Sequence, residues 1–222
     1  LRLRPHGSAG PLVPGEDAVL RYYRSEAAQW ERQALLKIRA VAGGEAFGWR
    51  MQRALRALLQ TPVSRVVVVG EIRRLRDKAV QMHLTDGKTD VKTGVGGIRD
   101  IEFAVQALQL VHLPAHPDLD TGNSLEALDR LQEQHLLADE RANELRDAYL
   151  FLRRLEHLLQ VMEDRQTHVV PVRPELREAL ARRLLGQGSD AQALESRLGT
   201  VRSRVRQLYI EILSELDAAP AQ

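Results

Sequence analysis

The chain has 222 residues, 44% of them apolar, 28% charged and only 4% aromatic, with 35 leucines and no cysteine. That length predicts one or two domains with a buried core, the leucine-rich, aromatic-poor mix favours helices, and the lack of cysteine excludes disulfides, thiolate metal sites and cysteine nucleophiles. With 32 basic against 30 acidic residues the net charge is only +2, which argues against a dedicated nucleic-acid binder, and no apolar run approaches the length of a membrane span.

In chain order, Leu1 and Leu3 alternate with Arg2 and Arg4, the period-2 pattern of a half-buried strand end, and the glycines and prolines through Pro14 then read as a loop. The chain opens on Leu1 rather than methionine, without a signal-peptide pattern, and reads as a piece of something larger. Glu16 and Asp17 open a helix to about residue 28, residues 29–41 read equally as helix or as a helix-to-strand passage, and a helix follows over 45–60. Val66 to Val69 favour a strand by propensity, but Ile72, Leu75, Ala79 and Met82 keep helical spacing, so a helix is expected over 65–83. Residues 85–97 read as a loop with a short strand near Val91. From Ile98 onward only helices are expected, over 98–112, 124–136, 139–162, 174–185 and 190–216. In the last of them Leu194, Leu198, Val201, Val205, Leu208 and Ile212 step by four and three, the seam of a helix packed in a bundle.

Three stretches could carry chemistry. Arg2 and Arg4 share one face of the opening strand, as a phosphate clamp or as an ordinary charged edge. Lys92 to Gly97, with Gly94, Gly96 and Gly97, precede a helix start, where free N–H groups, close backbone approach and one ammonium suit an anion; a plain turn and cap is the other reading. The helix from Ile98 is apolar on two sides with a narrow stripe of Glu102, Gln106 and Gln109 between them. A carboxylate in so buried a helix needs a partner, so the stripe either lines a ligand cleft or pairs with a structural arginine. Asp100 points away from Glu102, so the two are not a metal-binding pair, and Pro114 keeps His112 and His116 from aligning as ligands. Arg153, Arg154, Glu156 and His157 read as a solvated charged face.

Together, LRLRPHGSAGPLV, YYRSEAAQWERQALLKIRAVAG, VKTGVGGIRDIEFAVQALQL and AYLFLRRLEHLLQVMEDRQTHVVP resemble, in order and spacing, the glutamine synthetase adenylyltransferase/deadenylylase family over residues 1 to about 172. The resemblance implies a mainly α chain: residues 1–42 as the end of an α+β nucleotidyltransferase domain, leaving a short β remnant, with its connecting helix, and 43–222 as an all-α helical domain. In that family one half attaches AMP to a tyrosine of glutamine synthetase and the other removes it by phosphorolysis, giving ADP. The motifs RDIEFAVQALQL and YLFLRRLEHLLQ look more like the deadenylylating half.

The resemblance further implies Mg²⁺, ATP or ADP, phosphate, glutamine synthetase and the PII signal protein as cofactor and partners, and a cytoplasmic setting. The family's third metal-binding carboxylate belongs to a motif that this sequence enters at Leu1, one residue after the Asp, and the first two are expected further upstream, so the chain alone is expected to be inactive. Arg2, Arg4, Lys92, Gly94, Gly96 and Gly97 are then expected at nucleotide phosphate, and Asp100, Glu102 and Gln106 at the substrate cleft. The rival readings are the adenylylating half, a PII uridylyltransferase relative, and a helical interaction module without catalytic ancestry.

Overall fold

The computed structural model describes residues 4–82 and 89–219. Arg2 and the strand-like Leu1–Leu3 therefore lie outside the described residues. Among those described there are nine α-helices and no strand. Of the expected β remnant only Arg4 is described, and it sits in a bend, where its Nε donates to the Gly7 carbonyl at 2.7 Å.

The ambiguous stretch after residue 28 splits into a helix and a coil. The first helix, α1 (Glu16–Ser25), carries its two acids on the first turn, and α2 (Gln29–Leu35) follows after a short break. Glu31 fixes the start of α2, accepting from the Ala28 N–H at 2.9 Å and from the Tyr22 hydroxyl at 2.8 Å. Next comes α3 (Glu45–Ala57), tightened into a 3₁₀ turn at Leu58–Gln60.

The β-branched run does form a helix, α4 (Arg65–Met82). Val68, Val69 and Ile72 are buried while Val66 and Val67 are exposed, so burial on one helical face overrides strand propensity. The remaining helices are α5 (Ile98–His112), α6 (Ser124–Glu133), α7 (Asp139–Glu163), α8 (Pro174–Leu185) and α9 (Ala191–Ala218). Helix α6 stops short of the expected 136, because His135 turns into the left-handed region. Asn123 caps α6 and Asp190 caps α9 through their side-chain oxygens, and Pro174 opens α8.

Helix α5 is the hub, packed against α4, α6, α7 and α9. All six residues of the expected α9 seam are buried. One apolar core runs from Tyr23 in α1 to Leu216 in α9. The short strand expected near Val91 is reduced to a single antiparallel bridge, Asp90 to Val169, closed by the Val91 N–H donating to the His168 carbonyl at 2.9 Å. That bridge ties the loop before α5 to the segment after α7. No described helix is long and apolar enough to cross a membrane.

Candidate functional site

The Lys92–Gly97 loop is built inward. Asp90 Oδ1 accepts from the backbone N–H groups of Lys92 and Thr93, both at 2.8 Å, and its Oδ2 accepts from the Thr93 hydroxyl. The Gly97 N–H donates to the Gly94 carbonyl, and those of Ile98 and Arg99 reach back to the carbonyls of Val91 and Lys92. The Gly96 N–H donates to Asp100 Oδ2 at 2.8 Å. The N–H groups of Lys92, Thr93, Gly96 and Gly97, expected to await an anion, are thus engaged by the loop and by Asp100. Gly94 and Gly96 instead let the backbone approach α9, where Arg202 lies, and a Cβ on Gly97 would come within 2.8 Å of the Val91 carbonyl oxygen. Arg202 closes the contact by donating from Nε to the Val95 carbonyl at 3.0 Å.

Lys92 turns toward α7. Its Nζ stands 3.1 Å from Glu156 Oε1, while Arg153 donates to Glu156 Oε2 at 2.6 Å. Arg153, Arg154 and His157 are exposed, as expected of a solvated face, but Glu156 among them is only 4% exposed, a buried carboxylate held by two cations. Asp100 is also buried, on the far side of α5 from Glu102 as expected, and pairs with Arg76 of α4 at 3.1 Å.

The other two candidates meet at a groove of about 710 Å³ between α2, α4 and α5. Glu102 and Gln106 line it, together with Thr93 from the loop. Glu102 faces the groove and pairs not with an arginine but with Lys37, two residues past the end of α2, at 3.1 Å. Gln106 accepts from the side-chain amide of Gln33 at 2.5 Å, a buried link between α5 and α2. Gln109, the third residue of the stripe, lies elsewhere and donates to the carbonyls of Leu119 and Thr121.

The groove brings in residues that the sequence did not single out. Trp30 and Lys37 come from α2 and its end, Arg74 and Lys78 from α4, and Arg99 and Phe103 from α5. Trp30, Gln33 and Lys37 step by three and four, as Arg74 and Lys78 step by four; that spacing is the signal that could have found them. Arg99 lies over the Phe103 ring, 5.5 Å from its centroid, and its Nε is buried without a hydrogen-bond partner.

Among the described residues no group of three or more His, Asp or Glu is placed to hold a metal ion.

Residues 1–54 match the family model described as glutamate-ammonia ligase adenylyltransferase, and residues 70–213 match that described as GlnD PII-uridylyltransferase. The chain is 37% identical over 97% of its length to a bifunctional glutamine synthetase adenylyltransferase/adenylyl-removing enzyme of Methylococcus capsulatus, covering 23% of that protein. It is 41% identical over 76% of its length to the enzyme of the same name from Streptomyces coelicolor, covering 17% of it, and 36% identical over 100% to that of Hahella chejuensis, covering 23%. The chain thus spans about a quarter or less of the length of these relatives. With its 70–213 segment matching the PII-uridylyltransferase model as well, the chain belongs to the bifunctional glutamine synthetase adenylyltransferase/adenylyl-removing enzyme family.

Proposed function

We propose that this chain is part of an enzyme that controls glutamine synthetase by reversible adenylylation, in the half that removes AMP from a tyrosine. Phosphate oxygen would attack the AMP phosphorus, the bond to the tyrosine oxygen would break, and the tyrosine would leave protonated beside ADP. What carries the reading is where the groove lies. Its α2 wall belongs to the segment matched by the ligase adenylyltransferase model, and its α4 and α5 walls to the segment matched by the uridylyltransferase model. A cleft walled by both segments suits a nucleotidyl substrate handed between them. We place the domain division between residues 42 and 43, with Glu102 and Gln106 at the cleft.

On this reading Mg²⁺ assists the phosphoryl transfer in the complete enzyme. The wording of the 99–110 and 149–160 motifs supports the deadenylylating half over the adenylylating one. The test uses the full-length enzyme and measures phosphate-dependent ADP release from AMP-modified glutamine synthetase. ADP release is the expected result. Its absence with a competent substrate overturns the reading, and ATP-dependent labelling of unmodified glutamine synthetase instead assigns the adenylylating half.

A further inference from the structure

The groove is also the place where a nearly neutral chain gathers positive charge. Four cationic side chains and one carboxylate line it, although the whole chain carries only +2. The single carboxylate, Glu102, is already paired with Lys37. Arg74 is paired with Glu71 outside the lining. Lys78 and Arg99 have no carboxylate partner among the described residues. Arg99 is held over Phe103 with its Nε unpartnered and shut off from solvent, an arrangement that leaves part of its donor fork unmet in the free chain. The floor beside these cations is apolar and carries the half-buried indole of Trp30.

A site with an aromatic wall, an apolar floor and two unpaired cations selects for an anion that also carries a flat ring. Inorganic phosphate alone would leave the indole and the floor unused, and an apolar ligand would leave Arg99 and Lys78 uncompensated. From this juxtaposition we infer that the groove between α2, α4 and α5 binds a nucleoside phosphate, with its phosphates at Arg99 and Lys78 and its base against Trp30. The inference rests on the proposed function for its ligand class, since ADP is the product there. It adds a binding role for Trp30, Lys78 and Arg99, all residues of this chain. A guanidinium fork grips a phosphate through two parallel N–H donors, and the ammonium of Lys78 adds a point charge.

Direct binding tests it without requiring turnover. Trp30 and Trp49 are the two tryptophans, and Trp49 stands exposed on α3, so Trp49→Phe leaves Trp30 as the reporter. ADP, adenosine, inorganic phosphate and a short glutamate peptide are titrated in EDTA while Trp30 fluorescence is followed. ADP is expected to change the signal saturably and inorganic phosphate to compete with it. Adenosine is expected to bind at least about tenfold more weakly. Lys78→Met, at an exposed position, is expected to weaken ADP about tenfold with an unchanged circular dichroism spectrum, and Lys78→Met with Arg99→Met further still. No saturable response to ADP at millimolar concentration, equal binding of adenosine, or unaltered affinity in Lys78→Met overturns the inference. Saturation by the glutamate peptide with ADP silent overturns it in favour of a protein segment. The two proposals fail separately: ADP release by the full-length enzyme with no ADP binding here sinks only the groove, and binding here without release sinks only the function.

Discussion

Gly96, with φ at +70°, lies so close to α9 that a Cβ there would run into the carbonyl of Arg202. The loop that the sequence offers as an anion cradle is thus a packing joint, in which a left-handed glycine lets two backbones meet.

Replacing that glycine tests the joint. Gly96→Ala combines an unfavourable left-handed alanine with a backbone clash and should cost roughly 2–5 kcal/mol, read from urea unfolding. Gly199, exposed in the middle of α9 with nothing near its would-be Cβ, is the contrast. Gly199→Ala should stabilise by about 0.5–1 kcal/mol. Equal effects at the two sites would show that the joint is looser than described.

Lys92 and Glu156 should be coupled energetically. Lys92→Met leaves a buried carboxylate with Arg153 as its remaining cation and should cost about 1–3 kcal/mol. In Glu156→Gln background the same substitution should cost much less, so the double-mutant cycle gives a coupling of about 1 kcal/mol or more. A Lys92→Met protein of normal stability whose full-length form loses turnover would return Lys92 to the substrate.

Asp100 holds three elements through Arg76, the Gly96 N–H and its own place in α5. Asp100→Ala leaves a buried guanidinium with exposed Asp77 and the face of the Tyr209 ring, and should cost about 3 kcal/mol or more in the same urea assay. Arg74→Met, which removes an exposed pair with Glu71, should change stability by less than about 1 kcal/mol.

Tyr209 provides the pH signature. Burial, and then the charge of Asp100, push its hydroxyl up to about 12 from its usual value near 10. The folded chain therefore keeps a proton that the unfolded chain releases first. Stability from this group is intact below pH 10 and falls as pH rises from there through about 12, by roughly 3 kcal/mol in all. Tyr209→Phe should flatten that alkaline limb. Because the buried hydroxyl has no hydrogen-bond partner, Tyr209→Phe should also hold or raise stability at pH 7, in urea unfolding followed across pH. A steep alkaline limb that survives the substitution would assign it to other groups.

The helices were legible because their apolar residues recur at three and four. The α9 seam and the bounds of α8 were read directly, and α4 was read correctly against its valine run. Family membership was legible for a different reason, in four motifs kept in order along one chain. Periodicity assigns a face to each residue within its own helix. It does not say which residue of another helix stands opposite.

That second question was settled only by the tertiary structure. Lys92 and the glycines, grouped in sequence with Glu102, turn to α7 and α9, while Glu102 and Gln106 turn to α2 and α4. Glu156 looked solvated because its helical neighbours are charged, and it is buried because Lys92, 64 positions earlier, is carried onto it by the Asp90–Val169 bridge. The sequence by itself determined the helical class, the family and which residues are polar within an apolar helix. Which of those polar groups share a groove, and which are consumed by one another, depends on contacts between distant segments, and only the packed chain decides it.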